Sequence, residues 1–341
     1  MHLQRVKEAI NAIKNGEMII IMDDEDRENE GDLVMAGIFS SPEKINFMAQ
    51  EARGLICVSI TKEIAQKLDL PPMVNHNSSN HETAFTVSID AKKAKTGISA
   101  FERHLTIELM CNENTTPDDF VRPGHIFPLI AKEGGVLVRT GHTEASIDIC
   151  KLAGIKPVSV ICEIMKEDGS MAKRGDKFLA EFAKKHHLKT LYVSDLISYR
   201  LQNENLLKVL SKQQSDFLGS ICEKIVFMDH LQREHIAFKF QDNAIPLVRF
   251  HTIKSDYELL SEGKNYEFLM RSIDKLKQMG GYLVFINDNT NNGDIIKSFG
   301  IGAQILKLLG IKDFKLITSN NVRAYNALSG FDLRVIESVQ I

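Results

Sequence analysis

The stretch Asp23–Leu33, DDEDRENEGDL, sets seven acidic residues and one Arg in eleven positions, directly after the apolar run GEMIIIM of Gly16–Met22. In extended backbone, residues i and i+2 face one side, so Glu28, Glu30 and Asp32 can converge. The C-terminal end of a buried strand is where open α/β sheets place their sites. Hard oxygen donors suit Mg2+, which takes one or two carboxylates and completes its shell with water and substrate. The same run also reads as a solvated acidic loop with Arg27 in a surface pair.

Three further stretches carry chemistry. In RTGHT, Arg139–Thr143, a strand becomes a helix. Thr143 is placed to cap that helix, whose free N–H groups and dipole favour an anion. Arg139 adds a fork-shaped phosphate donor, Gly141 permits close backbone approach, and His142 is a metal ligand or acid/base candidate. An ordinary capped turn with an exposed His is the plainer alternative. In VSVICEIM, Glu163 sits in an apolar strand, where a carboxylate is costly unless paired and is suited to hold and release a proton. If Val158, Val160 and Cys162 face one side, Glu163 shares the other with Ser159 and Ile161; a strand-end Glu in water is the alternative. In RPGHIFPL, the Pro123-Gly124 turn presents Arg122 and His125. A lone His beside apolar residues is as readily structural. Cys57, in RGLICVSI, reads as a small core residue rather than a nucleophile.

These residues need elements to hold them. Val6, Ala9, Ile10 and Ile13 recur at helical spacing over 3–15, in a stretch without the apolar region of a signal peptide. A strand follows at 18–22. Ser41-Pro42 opens a helix ending near Gly54, LICVSI is a strand, and Thr61 caps a short helix. TAFTVSID reads as a strand and GISAFERHLTIELM as a helix. VRPGHIFPLIAKEGGVLVRT reads as loop, strand, Gly-Gly turn and strand. A helix, the strand VSVICEIM, a helix, the strand KTLYVS and a long polar helix, DLISYRLQNENLLKVLSKQQ, complete an α/β alternation. Beyond it, EKIVFMDHLQREHIAFKFQD offers two strands, GIGAQILKLLG a helix and FKLITSN a strand.

A chain of 341 residues suggests two domains. A net charge of -3 with both signs dispersed argues against a nucleic-acid binder. The five Cys have no C-x-x-C spacing, which points to reduced thiols and a cytoplasmic protein. No apolar run is long enough for a membrane span.

Taken together, DDEDRENEGDL, RPGHIFPL, RTGHTEASIDICKLAG and CEIM resemble the motifs of 3,4-dihydroxy-2-butanone 4-phosphate synthase, in order and spacing over about residues 3–200. That family converts ribulose 5-phosphate to the dihydroxybutanone phosphate and formate, uses Mg2+ (or Mn2+), and forms homodimers with sites at or near the subunit interface. The resemblance implies Glu28 and His142 as metal ligands with Glu30 close by. It implies substrate contacts from Arg27, Glu28, Asp32, Glu163 and the run Arg139, Thr140, Gly141, His142 and Thr143. His125 and Glu163 are implied as essential to the chemistry. ARGLICVSI and KTGISAFER place Cys57, Thr96 and Arg103 near the site. One departure is FERHLTI, where Glu102 stands for the usual Asp and the packing of His104 is open.

SFGIGAQILKLLGIKDFKLITSN resembles the end of GTP cyclohydrolase II over about 220–341, with VRFHT similar to the start of its chemistry segment. That family needs three zinc-binding Cys downstream of the Arg-x-His, and after His251 this chain has none. FINDNTNNGD stands where a Gln-Glu-Gly-Arg-Gly-type segment is expected. No zinc is therefore expected. The turn through Gly300, Ile301 and Gly302 is a candidate anion holder.

The expected fold is thus α/β. Residues 1–203 form a layered synthase domain with a mixed sheet, 204–219 a linker, and 220–341 a second, smaller cyclohydrolase II-like α/β domain. The expected activity is the synthase reaction, with a structural or regulatory second half. The alternatives are a bifunctional enzyme retaining cyclohydrolase activity and a non-catalytic sugar-phosphate sensor. The expected partners are the sugar phosphate and a second copy of the chain, with no nucleic acid or membrane.

Overall fold

The computed structural model describes residues 2–25, 27–261, 263–287, 295–318 and 333–341, with the side chains of 295–299 outside the description. The chain divides into two units, Met1–Tyr199 and Arg200–Ile341.

The first unit runs α1 (His2–Lys14), β1 (Ile19–Met22), β2 (Gly31–Ala36), α2 (Pro42–Phe47, continued by one π-helical turn, Met48–Ala52), β3 (Cys57–Ile60), α3 (Lys62–Lys67), β4 (Ile89–Ala91), α4 (Ala100–Cys111), β5 (Phe120–Ile130), α5 (His142–Leu152), β6 (Val158–Glu163), α6 (Lys177–Lys185) and β7 (Lys189–Tyr192). A further helix, α7 (Val193–Asn203), runs across the division. Helix starts follow the sequence: Ser41 and Thr61 side chains cap Lys44 and Ile64 N–H.

The seven strands form one mixed sheet, ordered β4-β5-β3-β6-β2-β1-β7. The pairs β1–β7 and β3–β5 are parallel and the others antiparallel. Alternation splits the strand side chains. Ile20, Met22, Leu33, Met35, Val58, Ile60, Val158, Val160 and Cys162 join one core with Ile45, Met48, Ile107, Met110, Leu179 and Phe182 of the helices. Asp32, Cys57, Ser159, Ile161 and Glu163 therefore point to the other face, where α5 packs along β1, β2, β3 and β6.

The second unit holds β8 (Leu207–Phe217), β9 (Ser220–Asp229), β10 (Glu234–Lys239), β11 (Leu247–Thr252), α8 (Asp256–Ser261), α9 (Gly263–Met279), β12 (Gly281–Ile286), α10 (Ile295–Leu308), β13 (Asp313–Ile317) and β14 (Arg334–Val339). Its sheet is also mixed, ordered β14-β13-β11-β12-β10-β9-β8. Phe227, Val248, Val284, Leu306 and Phe314 are buried in one core, and Leu269, Ile273, Leu276 and Leu283 in another.

Four sequence expectations change. Residues 204–219, expected as a linker with LLKVLSKQQ continuing a helix, hold β8, which pairs with β9 from Leu207 to Phe217. Lys208 to Gln214 are all exposed, so neither face carries an apolar period to mark a strand. The Gly-Gly segment does not lead into a strand: Gly134 and Gly135 take positive φ and a 3-10 turn follows at Gly135–Leu137, pinned by Val136 N–H donating to Asp148 Oδ2 at 2.8 Å. Gly300, Ile301 and Gly302 lie inside α10, not at its start, so they form no anion-holding turn. A Cβ on Gly300 would meet Leu201, and one on Gly302 would meet Phe250, so close packing explains these glycines. Thr143 is the second residue of α5; the N-cap position belongs to Gly141. Of FINDNTNNGD, residues 288–294 lie outside the described residues.

Candidate active site

Asp23, just beyond β1 and fully buried, organises the acidic loop. Its Oδ1 accepts from Glu30 N at 2.8 Å, and its Oδ2 from Glu28 N at 3.1 Å and Arg27 Nη1 at 2.8 Å. Arg27 Nη1 also donates to Glu28 Oε2 at 2.6 Å. Asn29 takes a left-handed φ of 57°, so the loop is not extended and Glu28 and Glu30 do not follow the i, i+2 rule. Asp32 lies in β2 opposite Ile21 and Glu163. The first residue of α5, His142, brings Nδ1 to 3.6 Å from Glu28 Oε2 and 3.9 Å from Asp32 Oδ1.

Asp23, Glu28 and His142 each offer a ligand atom within 4.8 Å of the others. Beside them, Asp32 Oδ1 and His142 Nε2 are buried without a hydrogen-bond partner, which is costly unless something else fills the role. Carboxylate oxygens and an imidazole suit a hard divalent cation, so these residues fit Mg2+ or Mn2+. The electrostatics agree. Burial acts upward on the Glu28 carboxyl, but the neighbouring His142 imidazole and the Arg27 charge hold it down at about 2. Burial, then the charges of Glu163, Glu28 and Glu30, raise Asp32 against the pull of His142. Burial alone would lower His142, yet Asp32, Glu28 and Asp23 outweigh it and the imidazole is raised. Burial and the neighbouring Glu28 charge raise Glu30.

The sheet register extends the site sideways. Glu163 Oε2 accepts from Leu55 N at 2.8 Å, and a Cβ on Gly54 would stand 2.3 Å from Glu163 O, so Gly54 permits this approach. Cys57 pairs with Ile161 on one side and Phe127 on the other. Beyond Cys57 the register shifts by one residue, since Arg53 bridges Ile164. Strands β5, β3, β6 and β2 lie side by side and carry His125, Cys57, Glu163 and Asp32 in that order across the sheet. Residues 122–125 bulge where β5 passes from Asp90↔Val121 to Ile89↔Ile126, which accommodates Pro123 and Gly124. His125 Nδ1 pairs with Asp90 Oδ2 at 2.7 Å, and Asp90 Oδ1 accepts His125 N at 2.8 Å.

The remaining candidates divide. Arg139 binds Glu144 Oε2, His81 O and Thr83 Oγ1. Thr140, Gly141 and Thr143 line the start of α5, and Thr143 is buried. Cys57 lies beside Glu163 and Asp32 with its thiol pushed up by burial and by those charges. Thr96 Oγ1 donates to Glu102 Oε2, which also accepts from Gly97 N and Ser99 Oγ, so Glu102 ties that loop. His104 Nδ1 meets Ser40 Oγ at 2.9 Å. Arg103 belongs to α4; it senses Cys162, whose side chain points away from Asp32 and Glu163. Asp23, Asp90 and Glu144 were not singled out in sequence, since each acts through contacts that only the folded backbone makes.

Residues 7–199 match the family described as 3,4-dihydroxy-2-butanone 4-phosphate synthase. The chain belongs to that family. It is 66% identical to the 3,4-dihydroxy-2-butanone 4-phosphate synthase of Helicobacter hepaticus, covering 100% of both chains. It is 41% identical to the riboflavin biosynthesis protein RibBA of Bacillus subtilis, covering 98% of this chain and 93% of that one. Among solved structures it resembles RibBX, a two domain synthase from A. baumannii, with TM-score 0.85, 39% identity and coverage of 98% and 99%. A family structure in complex with two magnesium ions covers 58% of this chain and 97% of its own, at TM-score 0.55 and 40% identity. Residues 289–340 match GTP cyclohydrolase II; of these, 289–294 and 319–332 lie outside the described residues.

Proposed function

We propose that the chain converts D-ribulose 5-phosphate to 3,4-dihydroxy-2-butanone 4-phosphate and formate, a step in riboflavin biosynthesis. The observation that carries this reading is the convergence of Asp23, Glu28 and His142 beside the unpartnered Asp32 Oδ1 and His142 Nε2, in a chain of this family. Glu28 and His142, with Asp23 behind them, are the groups for Mg2+, or Mn2+ in its place. A cation bound there polarises the substrate's carbonyl and makes the neighbouring C–H more acidic.

The chain's own groups do the rest. The free N–H groups at the start of α5, from His142 to Glu144, suit the phosphate. Arg27 has Nη1 engaged and keeps Nε and Nη2 for an anion. Raised Asp32 can donate a hydrogen bond to a substrate hydroxyl as well as accept one. Glu163, held at one oxygen by Leu55 N, and His125, oriented by Asp90, are the proton carriers for water loss, rearrangement and formate release. Thr140, Gly141 and Thr143 line the substrate's path, with Glu30, Cys57 and Thr96 at its margin.

We assign a homodimer through the first unit, supported by the half-exposed His125 and Leu55 beside the site. We assign a cytoplasmic setting, in keeping with five free cysteines; no described helix is long and apolar enough to cross a membrane. The second half is assigned a structural or regulatory role. Cyclohydrolase chemistry needs thiolates for zinc, and Cys222, the one Cys beyond residue 199, is a buried residue of β9 whose Sγ meets Ser215 O.

The test is product analysis by mass spectrometry on the purified chain with ribulose 5-phosphate and Mg2+, with and without chelator, and with GTP in parallel. Formate and a four-carbon phosphate from the sugar, lost with chelator, are expected, with GTP untouched. No turnover of the sugar would leave a sensor, and formate from GTP would restore the bifunctional alternative.

A further inference from the structure

Several buried carboxylates in the first unit have no part in the chemistry assigned above, and Glu144 is the most deeply buried of them. Glu144, in the first turn of α5, is 1% exposed. Its Oε1 accepts from Lys132 N at 3.0 Å, and its Oε2 accepts from Arg139 Nη1 at 2.6 Å. The guanidinium reaches onward. Arg139 Nε and Nη2 both donate to His81 O, at 3.1 and 2.9 Å, and Nη2 donates to Thr83 Oγ1 at 3.1 Å. A guanidinium has five N–H donors. Four are therefore committed within the chain, and one on Nη1 remains. Arg139 is not open to grip a phosphate with its fork.

The segment it holds is the exposed polar loop that precedes β4, and His81 on that loop lies within electrostatic reach of Glu28. The path is tight. A Cβ on Gly141 would stand 2.4 Å from Arg139 Nη1 and 2.8 Å from Glu144 Oε2, so Gly141 leaves room for this pair.

We propose that Glu144 is a positioning residue that, through Arg139, fastens the 81–83 segment as a wall beside the Glu28–His142 cluster. It rests on the assigned reaction only for the purpose of the wall, which is to hold the sugar phosphate. Arg139 then contributes at most one hydrogen bond to substrate, and its main work is to hold the wall. A buried ion pair with each end further hydrogen-bonded is the arrangement that fixes geometry rather than adding stability.

The experiment combines hydrogen exchange and kinetics on the full-length chain. Glu144→Gln keeps the acceptor for Lys132 N and removes the charge that holds Arg139. Without substrate, amides of 77–85 are expected to exchange about tenfold faster, while those of β2 and β6 stay unchanged. With ribulose 5-phosphate and Mg2+, KM is expected to rise about tenfold and kcat to fall less than threefold. Thr83→Val, which removes only the far acceptor and buries no unpaired charge, should move both readouts the same way by a smaller amount. It stands in if Glu144→Gln fails to fold. Exchange of 77–85 at the wild-type rate would overturn the proposal, and so would faster exchange with unchanged KM, which would make the contact merely structural. The exchange arm needs no turnover, so an inactive wild-type chain would overturn the assigned reaction without deciding the clamp.

Discussion

Glu28 and His142 meet because a loop residue and the first residue of a helix are brought to 3.6 Å by separate elements. Glu28→Gln keeps the shape and removes the negative charge. It is expected to abolish Mg2+-dependent turnover with an unchanged circular dichroism spectrum; wild-type activity would remove Glu28 from the cation site. The raised imidazole of His142 gives a pH rule. A ligand nitrogen must be unprotonated, and without the cation its neighbours favour the protonated form. Cation binding therefore releases a proton, and affinity is expected to weaken as pH falls. Calorimetry in buffers of different ionisation enthalpy measures that proton. Gly97 is a second single-residue constraint. Its φ is 82°, and a Cβ there would stand 2.0 Å from Asp90 Oδ2. Gly97→Ala is expected to cost about 1–3 kcal/mol, read from denaturant unfolding, and to disturb the His125 partner.

At the scale of elements, β5 presents His125 on a bulge and β4 supplies the carboxylate that orients it. Asp90→Asn should lower kcat about a hundredfold with little change in KM, because the ring loses the carboxylate that orients it. Most of the elements of the first unit could be read from sequence. The apolar runs at 19–22 and 158–162 bury one or both faces, and Ser41 and Thr61 cap as their types demand. Of the candidate site, the sequence shows what is local: the acidic loop and RTGHT carry Glu28 and His142, which the fold brings to 3.6 Å. The fold went unread where tertiary pairing overrides local pattern. The exposed Lys208–Gln214 run becomes strand because β9 hydrogen-bonds it, not because its side chains alternate. Asp90 and Glu144 were missed for a related reason: their partners lie 35 and 5 residues away and meet them only across a bulge or around a turn.

At the scale of the molecule, two units carry two separate sheets. A family structure that spans 58% of this chain is complete at 97% of its own length, so the first sheet is expected to suffice for the reaction. Residues 1–203 alone should yield formate from ribulose 5-phosphate, measured by mass spectrometry. The second unit has its own buried anchor. Burial acts upward on the Asp229 carboxyl, but His235 and Arg233 hold it far below its usual value. Its contribution is thus present above the unfolded pKa of about 3.9 and is lost as pH falls toward the folded value. Asp229→Ala removes the carboxylate that Arg233 Nε and the buried His235 face and should cost about 3 kcal/mol, read from urea unfolding at neutral pH. The strand order of the first sheet also bears on how the molecule is made. In space the central strands run β5, β3, β6, β2, an order that the chain visits as β2, β3, β5, β6. The strand β6 joins β3 to β2. The sheet that holds Asp32 and Glu163 side by side is therefore complete only once β6 has emerged and inserted between β3 and β2. Cation and substrate can then act only on the completed sheet, so they should slow its unfolding while leaving its rate of folding unchanged.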